Sequence, residues 1–282
     1  MGPDEFLKAL QTQAKSLTQV VATDKGDWIV KGFVDVYRRV YTISIDTKVV
    51  SKILELLFPE FARFAINYGF ELELAPEQNF YPDLSFTSKD TGIKYAVDIK
   101  STVRQSENKV NRMTLGAFTG YFRNRQSRKN TLYSYKDYAG HFVLGVIYSR
   151  NEQISDERMQ YSLEDIDTIA SVVRNFVFFA QPKYKIAIDQ PGSGNTKNIG
   201  SVEQIHKLLE GSGPFSALGE EVYDDYWMYY LTNDMAKASE IERPYHNLKT
   251  YLEYKRKGAD ILKAHEQEIM QVVAAEALNG EE

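Results

Sequence analysis

Residues 83–102 constrain the fold of this chain most, because apolar and polar residues alternate there as they do in two neighbouring β-strands. The second half places four apolar residues on one face, namely Ile93, Tyr95, Val97 and Ile99. Asp98 and Lys100 lie on the opposite face, near the end of the strand. The first half, DLSF, predicts a shorter strand, and the intervening KDTG has the composition of a turn. The segment is therefore predicted to be a β-hairpin that ends in charged side chains.

A four-residue loop, residues 89–92, sets the register of this hairpin. Ser88 then pairs with Ile93, and Asp83 falls directly opposite Asp98. Opposed residues have Cβ atoms about 4.5–5.5 Å apart, and two carboxylates at that separation repel unless a cation or a shared proton lies between them. Lys100 brings a positive charge to the same face. The arrangement predicts a functional site, and a solvated polar face without this hairpin register is the alternative.

Composition narrows the class of protein. The chain has 282 residues, of which 43% are hydrophobic, so it is long enough for one large domain or two small ones. No apolar run reaches the length of a membrane span and no basic-then-apolar leader is visible, so neither a membrane segment nor a signal peptide is predicted. The absence of cysteine excludes disulfides and thiolate metal sites and suits a cytoplasmic protein. The four histidines are scattered, which disfavours a zinc enzyme.

Charge is distributed unevenly along the chain. The formal net charge is −5, yet residues 94–136 hold ten basic side chains against two acidic ones, a local net charge of +8. A solvated surface is the ordinary interpretation of such a block. Because the block surrounds and follows the paired carboxylates, it favours a polyanionic substrate instead.

The pattern P-D-x14-D-x-K, formed by Asp83, Asp98 and Lys100, has a chemical meaning. Carboxylate oxygens are hard ligands that hold Mg²⁺ and leave positions for water and a phosphate oxygen. The metal polarises the phosphate and lowers the pKa of a bound water, while a lysine orients that water or stabilises developing charge. The pattern is typical of phosphodiester hydrolysis.

Other segments are predicted from periodicity and composition. Helices are expected at residues 4–19, 47–68 with a break or kink at Pro59, 115–124, 202–257 and 259–282. Strands are expected at residues 28–45, 141–148 and 176–188, the last interrupted by Pro182. Residues 190–201 are too polar and too rich in glycine for a regular element, and they form either a linker or a loop that presents backbone and amide groups to a ligand. Glu55 stands among the apolar positions of one predicted helix, where an exposed glutamate is the alternative to a functional one.

Several stretches in the same order resemble the PD-(D/E)xK nucleases and, among them, a type II restriction endonuclease family. They are IDTKVVSKILEL, EQNFYPD, VDIKST, TLGAFTGYFRN and GSGNTKNIGS, with weaker likeness over residues 32–257. The resemblance implies an α/β fold with a restriction-endonuclease-like core, in which helices flank a mixed central β-sheet. Residues 1–258 would form a single domain with a small dimerisation ribbon near residues 28–46, and residues 259–282 a helical, acidic C-terminal extension.

The resemblance also implies an activity and its residues. A Mg²⁺-dependent homodimer would cut double-stranded DNA at the palindrome GATATC, leaving blunt ends, in the cytoplasm and alongside a cognate DNA methyltransferase. Asp83 and Asp98 would bind the metal, Lys100 would be the catalytic lysine, and Glu55 would be an auxiliary acidic residue at the metal. DNA contacts would come from a loop in the major groove (Gly192, Gly194, Asn195, Thr196), a loop in the minor groove (Gln78, Asn79) and residues near phosphates (Ser101, Thr102, Thr119).

Two other functions remain open from the residues alone. A PD-(D/E)xK nuclease of DNA repair or recombination would cut according to DNA structure instead of sequence. A non-catalytic DNA-binding protein would use the carboxylates only to stabilise its fold, which the intact aspartate pair and lysine disfavour.

Overall fold

The structure is a computed structural model that describes residues 1–44, 57–77, 79–152, 154, 159–192 and 197–256. The helices in these residues are α1 (Pro3–Val21), α2 (Phe58–Tyr68), α3 (Lys183–Ile186), α4 (Ile205–Glu210), α5 (Glu220–Tyr229), α6 (Asn233–Ala238) and α7 (Leu248–Lys255). The strands are β1 (Gly32–Val34), β2 (Arg39–Thr42), β3 (Phe70–Leu74), β4 (Leu84–Ser88), β5 (Lys94–Val103), β6 (Thr114–Ala117), β7 (Tyr138–Arg150), β8 (Gln160–Ser162), β9 (Val173–Pro182), β10 (Ala187–Pro191) and β11 (Asn198–Ser201). None of the described helices is long and apolar enough to cross a membrane.

A five-stranded sheet of order β3-β4-β5-β7-β9 forms the centre of the molecule. Strands β5 and β7 run parallel, whereas the other neighbours run antiparallel, so the sheet is mixed as predicted. Alternate residues of β5 enter two different apolar cores: Tyr95 and Val97 pack on one face, and Ala96 packs on the other. Strand β5 is therefore buried on both faces, and it holds the charged end of the hairpin in a fixed position.

Helix α1 covers the first face of the sheet. Its buried residues recur at helical spacing and are Phe6, Ala9, Leu10, Ala14, Leu17 and Val21. The ring of Phe6 stacks on Tyr95 of β5 with centroids 4.3 Å apart. This helix confirms the prediction for residues 4–19.

Strands β1, β2 and β8 form a small separate sheet, which confirms strands within residues 28–45. Its turn and first strand carry large apolar side chains that water reaches. Phe33 is 61% exposed, Tyr37 is 75% exposed and Val36 is 90% exposed. We call Phe33, Val34, Val36 and Tyr37 the ribbon patch.

The predicted helix over residues 47–68 is confirmed only in its second part. Helix α2 begins at Phe58 with Pro59 in its first turn, so the proline starts the helix instead of kinking it. Proline is tolerated there because the first turn requires no backbone N–H donor. The helix ends at Gly69, whose φ of 72° suits glycine. Residues 45–56, including Glu55, lie outside the described residues.

The helix predicted over residues 115–124 is wrong. Strand β6 and a 3-10 turn, Gly120–Phe122, occupy this segment instead. Gly116 and Gly120 have φ values of 106° and 56°, which a continuous right-handed helix does not accommodate. Apolar spacing alone did not distinguish the two structures.

The described residues at both ends of the segment 190–201, namely 190–192 and 197–201, are also more regular than predicted. Strand β11 pairs with both β10 and β6, and Ile199 within it is buried. The preceding prediction for residues 176–188 is confirmed as a strand that Pro182 ends, but the helical turn α3 then separates β9 from β10. Residues 202–256 are mostly helical as expected, whereas residues 259–282 lie outside the described part of the chain.

Candidate active site

The predicted hairpin register is confirmed. Leu84 pairs with Val97 and Thr87 pairs with Lys94, so continuation of the ladder places Asp83 across from Asp98. The Ser88 N–H donates to the Ile93 carbonyl oxygen over 2.8 Å and closes the turn. Asp98 is only 4% exposed, which excludes the alternative of a solvated polar face.

Hydrogen bonds to both neighbouring strands position Asp83. Its carboxylate Oδ2 accepts the backbone N–H of Ile99 over 2.7 Å. Its carbonyl oxygen accepts the N–H of Ala75 over 3.0 Å, just beyond the end of β3. Because Ile99 stands between Asp98 and Lys100 in the chain, the first bond brings the Asp83 carboxylate to the same strand end as both.

Lys100 pairs with the buried carboxylate. Its Nζ atom lies 3.2 Å from Oδ2 of Asp98, and its side chain is 25% exposed. Burial by itself lowers the pKa of Lys100, but the negative charges of Asp98 and Asp83 and the hydrogen bond to Asp98 outweigh burial, so the pKa is raised above its ordinary value. The lysine is therefore a protonated, partly accessible cation at neutral pH.

A second lysine, which the sequence analysis missed, approaches the same carboxylate. Lys183 in α3 is 3% exposed, and its Nζ atom lies 3.9 Å from Oδ2 of Asp98. The same Nζ atom donates to the Tyr81 hydroxyl oxygen over 3.2 Å. Burial lowers the pKa of Lys183 to about 8, while the attraction of Asp98 opposes that shift. No local pattern indicated this residue, because it reaches Asp98 across the sheet.

Tyr81 and His141 continue the polar contacts away from the carboxylates. The Tyr81 hydroxyl lies 2.6 Å from Nδ1 of His141. Burial lowers the pKa of His141 well below its ordinary value, so the ring is neutral. The Tyr81 hydroxyl is therefore hydrogen-bonded to both Lys183 and Nδ1 of His141. The four side chains Asp98, Lys183, Tyr81 and His141 thus form one connected set.

The two aspartates have the chemistry of a Mg²⁺ site. Carboxylate oxygens are the ligands this ion prefers, and it keeps several waters when one or two carboxylates hold it. Within the residues that the structure describes, no group of three histidine, cysteine, aspartate or glutamate side chains forms a metal centre. Of the three predicted metal ligands, Asp83 and Asp98 lie within the described residues and Glu55 lies outside them.

The predicted base-reading loop connects β10 to β11 in the sheet formed by β10, β11 and β6. The Gly192 N–H donates to the Asn198 carbonyl oxygen over 2.9 Å, which closes the base of the loop. The Phe118 N–H donates to the Lys197 carbonyl oxygen over 3.0 Å, so the loop base lies beside the segment that carries Thr119. Gly194, Asn195 and Thr196 lie outside the described residues.

The remaining predicted DNA contacts differ in accessibility. Asn79 is exposed, Ser101 and Thr119 are half-buried, and Gln78 lies outside the described residues. Thr102 is buried, and its hydroxyl already donates a hydrogen bond within the protein, to the Asn111 carbonyl oxygen over 2.6 Å. Their contacts with DNA stay predictions.

Part of the basic block has internal partners. Arg112 pairs with Glu203 at 2.9 Å, and Arg125 pairs with Asp224 of α5 at 2.7 Å. Besides Arg112, which is also exposed, the block includes four exposed cations, Lys109, Arg128, Lys129 and Lys136. The block therefore stabilises the fold in part and presents positive charge to solvent in part.

Two comparisons with known proteins identify the family of this chain. The model of the family described as restriction endonuclease EcoRV matches residues 24–256. The type II restriction enzyme EcoRV of Escherichia coli is 32% identical over 230 residues, which cover 80% of this chain and 91% of that protein. The mixed sheet and these matches together define a type II restriction endonuclease, a site-specific deoxyribonuclease. Within that class, the chain belongs to the restriction endonuclease EcoRV family.

Proposed function

We propose that this endonuclease is Mg²⁺-dependent and hydrolyses both strands of double-stranded DNA at GATATC, cutting at the centre to leave blunt ends. The observation that carries the metal-dependent chemistry is the convergence of Asp83, Asp98 and Lys100 at one strand end. The base sequence of the target rests on the family membership and on GSGNTKNIGS at residues 192–201.

Each residue of the site has a distinct role in this proposal. Asp83 and Asp98 hold the metal, with Glu55 as an auxiliary acidic residue. When bound, the ion would supply a water of lowered pKa and polarise the phosphate. Lys100, protonated and partly exposed, orients the attacking water or stabilises the charge that develops on the phosphate. The buried hairpin keeps these groups in place before substrate arrives.

DNA recognition divides between bases and phosphates. The loop with Gly192, Gly194, Asn195 and Thr196 reads base edges in the major groove, where all four base pairs are distinguishable. Gln78 and Asn79 approach the minor groove. Residues near phosphates position the duplex without reading its sequence, and they are Ser101, Thr102 and Thr119.

We also propose that the enzyme is a homodimer. A palindrome has two-fold symmetry, and a two-fold dimer presents one active site to each strand. The ribbon patch supports this assembly because it leaves Phe33, Val36 and Tyr37 in water on a monomer. Residues 1–258 form the single catalytic domain, and residues 259–282 form a peripheral extension. The cellular setting is the cytoplasm, where a cognate methyltransferase protects the host DNA.

Digestion of a plasmid of known sequence tests this proposal directly. Discrete fragments are expected with Mg²⁺ and intact plasmid with a chelator, and run-off sequencing of the ends should show blunt cuts at the centre of GATATC. Asp98→Asn provides the inactive control. Another palindrome would show that the loop does not carry the same specificity, and ragged ends at unrelated sequences would refute the proposal as a whole.

A further inference from the structure

Burial of the Lys183 amine costs hydration free energy, and its immediate contacts offset that cost only in part. A lysine that is 3% exposed gives up most of its hydration, and such a group is retained only with partners. Its described partners are the Tyr81 hydroxyl at 3.2 Å, the Tyr81 ring centroid at 4.3 Å and the Asp98 carboxylate at 3.9 Å. All of them belong to the segments that carry the two candidate metal ligands.

The contact with Tyr81 reaches the first of these segments. Tyr81 stands two residues before Asp83, and neighbouring rings hold its own ring firmly. It stacks on Tyr121 with centroids 4.7 Å apart and on Tyr135 at 5.7 Å. Its hydroxyl is bound to His141 at 2.6 Å. Lys183 therefore contacts a residue whose position is set independently of the carboxylates.

The contact with Asp98 reaches the second segment, and Lys183 shares this carboxylate oxygen with Lys100. The two lysines differ in accessibility: the Lys100 side chain is 25% exposed, whereas that of Lys183 is 3% exposed. Space around the buried amine is also limited, since a Cβ atom at Gly116 would come within 3.5 Å of it. Lys100 is the more accessible of the two lysines, and Lys183 approaches Asp98 from the interior.

We infer that Lys183 is a positioning residue for metal-dependent cleavage, which orients the Asp98 carboxylate from its buried side and braces it against Tyr81. This inference rests on the proposed function, because a carboxylate needs a defined orientation only if it binds the catalytic metal. Partners of this kind orient a ligand before the ion arrives, and their loss typically costs about 10- to 100-fold in metal affinity or activity. Because Lys183 is itself a cation that opposes the metal's charge, we expect its loss to lower the cleavage rate and not the metal affinity.

Two variants distinguish the loss of charge from the loss of hydrogen-bond donors at this position. Lys183→Met removes both charge and donors, and Lys183→Gln removes the charge but keeps a donor. Lys185→Met is the matched control, because Lys185 stands on the same short helix and is half-buried. Single-turnover cleavage at saturating Mg²⁺, Ca²⁺ affinity by calorimetry, DNA affinity without metal and thermal unfolding are measured for each.

Both Lys183 variants are expected to cleave about 10- to 100-fold more slowly than wild type. Their affinity for DNA without metal should be unchanged. Their affinity for Ca²⁺ should be equal or higher, because a positive charge near the carboxylate has been removed. This split between rate and metal affinity is the signature of positioning, whereas a structural lesion weakens both. Lys185→Met should match the wild type in every measurement.

Chemical rescue gives a second readout. The chain contains no cysteine, so Lys183→Cys introduces a single thiol. In denaturant its thiolate displaces bromide from 2-bromoethylamine and forms a thioether that ends in an amine, a close analogue of lysine. After refolding, the aminoethylated protein should recover most of the cleavage rate that the unmodified variant lacks.

Three results would overturn the inference: wild-type cleavage by Lys183→Met, a parallel loss of rate and Ca²⁺ affinity, or failure of aminoethylation to restore the rate. If Lys183→Met does not fold, Tyr81→Phe tests the inference instead, because it removes only the hydroxyl that accepts the hydrogen bond from Lys183. That variant should be slower than wild type, and an unchanged rate would contradict the inference. A wild-type enzyme that neither binds Ca²⁺ nor cleaves with Mg²⁺ would refute the proposed function instead.

Discussion

The backbone N–H of Ile99 donates a hydrogen bond of 2.7 Å to the carboxylate of Asp83, which stands sixteen residues earlier in the chain. Ile99 lies between Asp98 and Lys100, so this bond joins the first aspartate to the strand that carries the other two residues. A side chain thereby continues the hairpin beyond the last pair of its ladder, Leu84 and Val97. The carboxylate has both a structural and a proposed chemical role, and the two are separable by substitution.

Two variants of Asp83 should separate these roles. Asp83→Asn keeps an oxygen that accepts from Ile99 but loses the charge, whereas Asp83→Ala loses both. We expect both variants to lose most Mg²⁺-dependent cleavage, because the proposed function assigns the Asp83 carboxylate as a metal ligand. Only the alanine variant should also leave the Ile99 N–H without its acceptor, which costs about 1 kcal/mol of unfolding free energy relative to the asparagine variant. Single-turnover rates and urea unfolding measure the two effects, and wild-type cleavage by Asp83→Asn would contradict the role of metal ligand.

Substitution of Lys100 should affect chemistry more than folding. Lys100→Met removes the cation that lies 3.2 Å from Asp98, while Lys183 remains beside the carboxylate. We therefore expect a folded protein that still binds the target DNA but cleaves at least about 100-fold more slowly, as expected when a general acid–base or charge-stabilising group is lost. Circular dichroism and gel retardation are the controls. A well-folded variant that cleaves at the wild-type rate would remove Lys100 from the catalytic set.

His141 should make stability depend on pH in a defined direction. Burial lowers the pKa of His141 well below 6.5, and the nearby cations Lys183 and Arg125 lower it further. Below about pH 6.5, the unfolded chain therefore binds a proton at this ring that the folded chain does not. Stability from this group is complete above that pH and is lost as the pH falls.

The variant His141→Asn tests this dependence because its amide can hydrogen-bond to the Tyr81 hydroxyl in place of the ring but does not titrate. The unfolding free energy of wild type minus that of the variant should fall between pH 7 and pH 5, by at most about 1.4 kcal/mol per pH unit. Urea unfolding at several pH values measures it. A difference independent of pH would show that the folded protein also protonates His141.

The ribbon patch should control the oligomeric state. Phe33→Lys places a charge on the patch, and Ile66→Lys makes the same type of change on α2, where Ile66 is 72% exposed. We expect Phe33→Lys to form monomers at concentrations where the wild type and Ile66→Lys form dimers, because a buried charge without a partner is costly at an apolar interface. Sedimentation velocity gives the masses. Dimers of undiminished stability with Phe33→Lys would place the interface elsewhere.

Removal of the residues after Gly258 should leave the cleavage specificity unchanged. The match to the family ends at residue 256, and the final residues of the chain are acidic, which disfavours contact with phosphate. Run-off sequencing of plasmid cut by the truncated enzyme is the measurement. A changed recognition sequence would show that the extension takes part in reading DNA.

Local patterns were sufficient for several parts of this structure. The register of the hairpin of β4 and β5 was predictable to the residue, because a period of two and a four-residue turn determine which residues face each other. The apolar spacing of residues 4–19 predicted helix α1 for the same reason: the repeat is contained within one element. The candidate pair Asp83 and Asp98 followed directly from the hairpin register.

Other parts depend on segments that are distant in the chain. Strands β6 and β11 pair although β11 begins at Asn198 and β6 ends at Ala117, and neither has enough alternation to predict a strand alone. Lys183 approaches Asp98 only because β9 returns beside β7 and ends in a helical turn under the site. Such contacts form when the whole chain buries its apolar surface, since that free energy depends on how distant segments pack and not on any local repeat.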